Sequence, residues 1–410
     1  MCIRDRYRRA TFVFAGTLLV AVCGVGAVLG LSLGELACAA GFLIASPLFL
    51  PSSASTTLEI PALSLGVMGA WLLLVAVGRR SWLLAALGGC VLGVAAMTKL
   101  TALSIVPVVG GLAAVGLLSF GGRQSWQVLG VALLAFVATT AAAWHVCSDG
   151  ASWRHLLGTH FSAYPLLDAE ARAAYRFRWD WFSWQPLFSL AAVGGLLCLV
   201  RSPRRWTAVV LGLWVAAVAL VFAVHFPWWN YYSLHLCVPL ALLAGVGLWQ
   251  TIRWSVAARA GAWLQTGGRL LAAAFAVACV WGWGEAFAAE MRRVRTVGHW
   301  QDNPIVRCVR EQISMDRSHP LIMLQLVPGP YAVYCGLKPL PWYAVLPKKR
   351  YWVGELDNEE LAAQIRAQTA QVLFASTLDL SPMVLAEAIE VHYRQICASE
   401  EVTVWVPRTK

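Results

Sequence analysis

A single lysine lies among long apolar segments, where an ionised side chain is costly. Lys99 is the only lysine in residues 1–288, and it lies in the string TKLTA after a short apolar segment. An ionisable group at membrane depth costs roughly 2.5 to 3.5 kcal/mol to insert, so its presence points to a function. A compact ammonium can bind a phosphate as a point charge. The alternative is a lysine that only anchors a helix end at the membrane surface.

A carboxylate precedes one of the apolar segments. Glu59 ends the polar stretch PSSASTTLE, and it is followed by Pro61 and a long apolar run. At the lip of a membrane cavity, a carboxylate can accept a hydroxyl proton, bind a cation or hold an acceptor group. An acid in the first turn, with proline at the helix start, also complements the positive end of the helix dipole. The sequence leaves both roles open.

A dense aromatic and polar turn, HFPWWNYY, begins at residue 225. Aromatic faces beside hydroxyl and amide groups suit the binding of a sugar, while an aromatic belt at the membrane surface is the alternative. The belt explains the two tryptophans well, and it explains the histidines and the asparagine less well. The residues that we predict to line a sugar or donor cavity are His225, Asn230, Tyr231, Tyr232 and His235.

The segment 147–183 alternates aromatic and charged residues, as in RFRWDWFSW. This alternation is typical of an amphipathic helix lying along the membrane surface. Arg176 or Arg178 could assist at a phosphate, and contact with lipid headgroups is the alternative. We retain Arg178 as a candidate ligand of the donor phosphate.

The composition requires a membrane protein. The chain of 410 residues has 59% hydrophobic and 13% charged residues with a mean hydropathy of +0.64, whereas soluble domains carry about 25% charged residues. About ten apolar segments are long enough to cross, or nearly cross, a hydrocarbon core of about 30 Å. They lie at 11–31, 35–50, 60–78, 82–97, 100–119, 127–146, 184–200, 206–225, 230–250 and 270–288.

The arginines predict the orientation of these helices. Nine arginines and no acid occupy the connections at 79–80, 123, 201–205 and 253–269, so the positive-inside rule places these connections in the cytoplasm. The other connections then face outward. These include Glu59, Lys99, the aromatic turn, the loop 147–183 and everything after residue 289.

The chain divides into three predicted parts. Residues 1–9 resemble a non-native leader, 10–288 form the transmembrane domain, and 289–410 carry 14 basic and 13 acidic residues, an ordinary soluble balance. In the last part, helical patterns at 301–316, 357–368 and 381–390 alternate with strand patterns, which predicts a small α/β domain. If that domain is exported, its three cysteines, Cys308, Cys335 and Cys397, could form one disulfide.

Three segments in order resemble a known family. SPLFLPSSASTTLEIPAL, MTKLTAL and HFPWWNYYSLHLCVPLALLAG are similar to segments of the membrane-embedded GT-C glycosyltransferases of family 39. These are relatives of the protein O-mannosyltransferases and of the aminoarabinose transferases that modify lipid A. The resemblance implies inverting transfer of a sugar from a polyprenyl phosphate to an acceptor hydroxyl, on the extracytoplasmic side of the bacterial inner membrane.

By position, the resemblance implies that Glu59 is a second outer-loop acid, that Lys99 faces the donor phosphate and that residues 225–232 form the cavity wall. In such enzymes the main catalytic base is an acid in the first outer loop, and this sequence has no such loop. The resemblance therefore implies a chain truncated at its N-terminus and inactive without the upstream segment. We expect one more apolar helix and an acidic outer loop before Tyr7.

The expected partners follow from this resemblance. They are a polyprenyl-phosphate-linked sugar donor, membrane lipid, and an acceptor glycan, lipid or protein. Nucleic acid is not expected, because the excess arginine lies in short loops between apolar segments. No cysteine or histidine cluster has the spacing of metal ligands, and a divalent cation is left open as a cofactor. A transporter or lipid flippase without transferase activity is the alternative function, and a scaffold is a third.

Overall fold

The computed structural model resolves two compact units, whose described parts lie on either side of Glu290. It describes residues 3–53, 58–105, 110, 123–147, 176, 185–224, 228, 230–256, 263–297, 303–313, 320–323, 338–339, 357–368, 370–376, 383–400 and 402–408. The predicted loop 147–183 lies almost entirely outside these residues.

The first unit consists of helices. They are α1 Ile3–Val28, α2 Leu33–Ala45, α3 Phe49–Ser53, α4 Glu59–Arg79, α5 Trp82–Thr98, α6 Arg123–Cys147, α7 Pro186–Val200, α8 Arg205–Val224, α9 Leu234–Val256 and α10 Trp263–Val297. Two short 3₁₀ helices lie at Leu100–Ile105 and Asn230–Ser233.

Nine of the ten predicted membrane segments coincide with described helices. Six helices, α1, α4, α6, α8, α9 and α10, are long and apolar enough to cross a bilayer, and α2, α5 and α7 are shorter apolar helices. The tenth segment, 100–119, begins as a 3₁₀ helix and then mostly leaves the described residues. Helix α1 begins at Ile3, so it includes most of the predicted leader 1–9. The chain is a polytopic α-helical membrane protein, as predicted.

Helix α9 forms the centre of the bundle. Of its apolar stretch, 89% is buried inside the protein, compared with 11% for α6 and for α10. Leu134, Leu270 and Trp281 on these two outer helices are exposed, which suits helices that face lipid. Helix α9 packs mainly against α2 and α7, and α5 packs between α4 and α6. The residues at the start of α9 are therefore held by packing from several sides.

Small residues allow the helices to approach closely. A Cβ added to Gly195 of α7 would lie 2.9 Å from the backbone nitrogen of Gly247 in α9. Between α4 and α5, a Cβ on Gly88 would lie 3.2 Å from the carbonyl oxygen of Gly69. Close backbone contact of this kind drives helix association in lipid, where neighbouring apolar chains gain little from burial alone.

A buried ion pair joins three separate segments of the helical unit. Arg204 donates two hydrogen bonds of 2.8 Å to the carboxylate of Glu35, which is only 1% exposed. Gln250 donates to the same carboxylate at 3.0 Å, and so does the backbone N–H of Ser32 at 2.8 Å. Arg204 also donates to the carbonyl of Gly30 at 3.1 Å. The α1–α2 turn, the α7–α8 turn and the end of α9 are thereby tied together.

The second unit is a mixed sheet with helices on both faces. Its described elements are α11 Pro304–Gln312, β1 Pro320–Met323, β2 Lys338–Pro339, α12 Asn358–Arg366, β3 Val372–Ser376, α13 Met383–His392, β4 Tyr393–Ala398 and β5 Val402–Pro407. The strand order is β2-β1-β3-β5-β4, with β1 parallel to both β2 and β3 and the other pairs antiparallel.

Strand β3 shows why helices cover both faces of the sheet. Alternate side chains of a strand point to opposite faces. Leu373 packs with the apolar residues of α12 and α13, whereas Val372 and Phe374 pack with those of α11. The predicted α/β organisation is thus confirmed. Strand β4 was not predicted, because α13 runs into it at Tyr393 without a loop and because Arg394 and Gln395 dilute its apolar pattern.

One disulfide crosses this unit. Cys308 of α11 is bonded to Cys397 of β4, 89 residues later in the chain. It attaches a helix on one face of the sheet to an edge strand.

Tyr393 at the start of the same strand is fully buried. It donates its hydroxyl to the carbonyl of Ala370 at 2.8 Å, and burial raises the pKa of that hydroxyl to about 12.

The adjacent glycines of α7 give a matched test of close packing. We expect Gly195→Ala to lower the free energy of unfolding by roughly 1 to 3 kcal/mol, because the new methyl group overlaps the backbone of α9. Gly194→Ala adds the same methyl group where nothing lies within 4 Å, so it should be neutral or slightly stabilising. Thermal unfolding in detergent measures both variants, and equal midpoints would contradict the packing described for Gly195.

The Glu35 ion pair gives a second test. Arg204→Met should destabilise the bundle by about 3 to 5 kcal/mol, because it leaves a buried carboxylate without its cation. Adding Glu35→Gln to that variant should restore much of the loss. Arg205→Met, at an exposed neighbouring arginine, is the control and should change the unfolding midpoint little. Equal midpoints for the two single variants would show that the ion pair does not stabilise the bundle.

Candidate functional site

The structure brings the two candidate ionisable residues into contact. Glu59 is the first residue of α4, and Lys99 directly follows α5. The Lys99 ammonium and the Glu59 carboxylate form an ion pair. The Glu59 side chain is 2% exposed, whereas that of Lys99 is 23% exposed. The carboxylate therefore lies inside the bundle, and the lysine side chain remains partly accessible.

Local structure explains why these two residues meet. A tight turn joins α4 to α5, with Arg80 in the left-handed conformation at φ 52° and Ser81 capping α5. Two helices joined in this way place the beginning of the first beside the end of the second. Ala62, Ala95 and Ala102 form a small buried cluster next to the ion pair in sequence, and their short side chains let the helices approach.

Two tyrosines hold the ammonium from other directions. The Lys99 nitrogen lies 5.0 Å from the ring centre of Tyr231 and 4.7 Å from that of Tyr232. Both distances are within the range of a cation–π interaction. The two rings meet edge to face at 5.0 Å, and Tyr232 stacks on Phe222 at 5.5 Å. Lys99 is thus positioned by one carboxylate and two aromatic faces.

A buried histidine lies behind the tyrosines. His235 is 1% exposed, and its Nδ1 lies 3.4 Å from the hydroxyl oxygen of Ser104. Its ring meets Phe222 edge to face at 5.6 Å. Since Ser104 belongs to the 3₁₀ helix that follows Lys99, this contact joins that helix to α9. His235 supports the wall on which the tyrosines lie.

The remaining predicted site residues lie outside the described part of the structure, either entirely or in their side chains. His225 and Arg178 lie outside the described residues. Asn230 begins the 3₁₀ helix Asn230–Ser233, but its side chain is also outside the description. Among the described residues, no group of three or more histidine, cysteine or acidic side chains could hold a metal ion.

Three residues that the structure makes important were not predicted from the sequence. Ser104 and Phe222 support the tyrosine wall, and Glu35 holds the opposite end of the bundle. Gln250 of that second cluster follows His235 by 15 residues in α9, which corresponds to about 22 Å along the helix. The insertion cost of a charge could have identified Glu35, since it begins a predicted apolar segment. No sequence pattern pointed to Ser104 or Phe222.

The arrangement offers a cation to an external anion. The ammonium donates up to three hydrogen bonds, and the partly exposed lysine side chain can bind an anionic group beside the tyrosine rings. Lys99 is an extended residue at φ −163° whose backbone N–H still bonds to the carbonyl of Ala95 at 3.0 Å, so its backbone is fixed at the helix end. The site therefore combines a fixed cation, aromatic faces and a carboxylate.

Comparisons with known proteins bear on the fold. No family model and no curated protein matches the sequence. Among solved structures, ArnT from Cupriavidus metallidurans bound to undecaprenyl phosphate has a TM-score of 0.63 at 16% identity, over 97% of this chain and 83% of that one. The Archaeoglobus fulgidus oligosaccharyltransferase tethered to an acceptor peptide has a TM-score of 0.49 at 11% identity, over 99% of this chain and 63% of that one.

Another structure, archaeal AglB from Archaeoglobus fulgidus with an inhibitory peptide and a dolichol-phosphate, has a TM-score of 0.46 at 12% identity, over 99% of this chain and 63% of that one. The likeness to ArnT covers almost the whole chain, and it agrees with the resemblance found in the sequence. The chain therefore has the GT-C fold of membrane-embedded glycosyltransferases.

Proposed function

We propose that this protein is an inverting glycosyltransferase that moves a sugar from a polyprenyl-phosphate carrier to a hydroxyl of an acceptor glycan, lipid or protein. The observation that carries the proposal is the ammonium of the partly exposed Lys99 side chain, held between a buried carboxylate and two tyrosine rings. The ArnT structure with the same fold is bound to undecaprenyl phosphate, which supports a lipid phosphate as the ligand.

The ammonium suits the leaving group of this reaction. When the sugar leaves its carrier, negative charge develops on the lipid phosphate, and a fixed cation in surroundings of low dielectric constant stabilises that charge. The aromatic contacts with Tyr231 and Tyr232 hold the ammonium in place, so Lys99 itself needs little reorganisation. Arg178, outside the described residues, is proposed as a second cation at the phosphate.

The tyrosines suit the sugar. Tyr231 is partly exposed and Tyr232 is buried, so the first is the better placed to contact a ligand. An aromatic face packs on the C–H groups of a sugar ring, while a hydroxyl can bond to its polar rim. We propose that Tyr231 and Tyr232, with His225, Asn230 and His235, form the wall of the donor cavity.

Transfer also requires a carboxylate to accept the proton of the acceptor hydroxyl. Glu59 is the candidate in the described part of the site. Its carboxylate is held by Lys99, and it is almost fully buried. It can therefore accept a proton from the acceptor only after another anion has replaced it on the ammonium.

Several features support an extracytoplasmic site in the inner membrane. The arginine-bearing turns at Arg80 and Arg204 lie at the ends of α4 and α9 opposite to Glu59 and His235, and the positive-inside rule favours the cytoplasm for them. In the second unit, the disulfide between Cys308 and Cys397 favours an oxidising compartment. We therefore propose that residues 289–410 form an extracytoplasmic domain.

A transfer assay tests the role of Lys99. With a polyprenyl-phosphate sugar and membranes that hold the full-length protein, Lys99→Met should lower kcat by about 10² to 10³-fold, because a fixed cation at the leaving group is lost. Lys99→Arg should retain part of the activity. The control is Thr98→Ala, whose hydroxyl bonds to the carbonyl of Val94 within its own helix. Unchanged rates for Lys99→Met, or movement of the sugar lipid across liposomes without transfer, would favour a transporter or flippase.

Thiol labelling tests the location of the second unit. Protein from intact cells is denatured and its free thiols are blocked. Reduction should then expose two new thiols. The variants Cys308→Ser and Cys397→Ser should each abolish this release of thiols. Cys335→Ser is the control and should leave both thiols. Loss of the bond should also lower the free energy of unfolding by about 2 to 4 kcal/mol. Labelling of Cys308 and Cys397 without reduction would argue against an extracytoplasmic domain.

A further inference from the structure

We infer that Glu59 occupies the phosphate position on Lys99 in the empty protein, and that a lipid phosphate displaces it from the ammonium. This inference rests on the proposed function, since it concerns the same donor site. It assigns to Glu59 the role of a displaceable counter-ion, which opposes donor binding instead of assisting it.

The burial of the two side chains supports an exchange at the ammonium. The Glu59 side chain is 2% exposed and that of Lys99 is 23% exposed. An anion that enters the site therefore meets the lysine side chain before the carboxylate. Because one compact ammonium carries a single charge, a second anion that approaches it must compete with the first.

The tyrosines make the exchange feasible without loss of the lysine position. The Lys99 nitrogen is 5.0 Å and 4.7 Å from the ring centres of Tyr231 and Tyr232. Tyr232 is itself held by stacking on Phe222. These aromatic contacts do not depend on which anion is bound. The ammonium can thus release Glu59 and still be held in the site.

The direction in which phosphate affinity changes when Glu59 loses its charge distinguishes this inference from a simple positioning role. A carboxylate within contact distance of the same ammonium repels a phosphate and weakens its attraction to Lys99, strongly so in surroundings of low dielectric constant. Removal of that negative charge should then tighten phosphate binding. If Glu59 served only to orient Lys99, its removal would weaken binding instead.

The displacement also determines which of the two substrates must bind first. In the empty protein the Glu59 carboxylate is held by Lys99, so it is not available to an acceptor hydroxyl. Once the phosphate has taken the ammonium, the carboxylate is released next to the bound donor. Binding of the donor would therefore precede any proton transfer to Glu59, which limits reaction with an acceptor when no donor is present.

Equilibrium binding of radiolabelled undecaprenyl phosphate to the purified full chain in detergent tests the inference, with undecaprenol as the uncharged control lipid. Glu59→Gln keeps the size of the side chain and removes its charge. We expect it to bind undecaprenyl phosphate about tenfold more tightly than the unchanged protein, which corresponds to about 1.4 kcal/mol. Lys99→Met should bind it at least about tenfold more weakly. Neither substitution should change the binding of undecaprenol.

A double-mutant cycle distinguishes competition from distant repulsion. If the two anions compete for Lys99, Glu59→Gln should give no gain when it is combined with Lys99→Met. An equal gain in both backgrounds would overturn the inference, as would equal or weaker binding by Glu59→Gln alone. Should Lys99→Met fail to fold because it leaves Glu59 unpaired, the double variant Glu59→Gln/Lys99→Met still decides, because it leaves no charge at either position. It should bind undecaprenyl phosphate no more tightly than the unchanged protein, and binding as tight as that of Glu59→Gln alone would overturn the inference.

The failure of the proposed function has a different signature. If Lys99→Met binds undecaprenyl phosphate as tightly as the unchanged protein does, Lys99 is not the phosphate site, and both proposals fall. If Lys99→Met binds weakly and Glu59→Gln shows no gain, the phosphate site stands and only the displacement of Glu59 is excluded. Thermal unfolding of each variant establishes that it is folded.

Discussion

A carboxylate buried in a membrane protein must be paired, and this constraint organises the helical unit. Glu59 and Glu35 are 2% and 1% exposed, and each contacts a cation from a distant part of the chain or from the next helix. An unpaired charge at such depth would cost several kcal/mol. Each pair therefore fixes which helix ends come together, one at the predicted outer end of the bundle and one at the predicted cytoplasmic end.

The two pairs differ in a way that matches different tasks. Glu35 receives two bonds from the planar guanidinium of Arg204, and Gln250 and a backbone N–H complete its shell. A carboxylate whose hydrogen bonds are all satisfied in this way stabilises the fold and does not readily exchange its partner. Glu59 is paired with an ammonium, which has no fixed planar geometry, and the lysine side chain that carries it is partly exposed. The outer pair is the one that a ligand can open.

The sequence predicted the membrane helices well because one physical property, the length of an apolar segment, determines where they form. Apolar length sufficient for a bilayer is a local property, and nine predicted segments coincide with described helices. The arginines at 79–80 also placed Glu59 and Lys99 on the same predicted side of the membrane, although the sequence did not predict that the two side chains are in contact. The partner of Glu35 could not be predicted, because Arg204 lies 169 residues away and is one of several similar arginines. Strand β4 was missed because its start has no loop signal and its polar residues weaken the alternation.

At the predicted outer end of the helical unit, two helix N-termini favour an anion in addition to Lys99. Helices α4 and α9 both begin there, at Glu59 and Leu234, and the N-terminus of a helix carries a partial positive charge. Glu59 balances the first of these termini and the ammonium together. When the carboxylate is the only anion, the surroundings of Lys99 retain a positive character from the second terminus. A membrane site with this balance attracts a monoanionic phosphodiester, whereas its aromatic wall and apolar neighbours suit a ligand that carries a sugar and an oily chain. The same charges would bind a free phosphate in water less well, because such an ion must give up its hydration without gaining apolar contact.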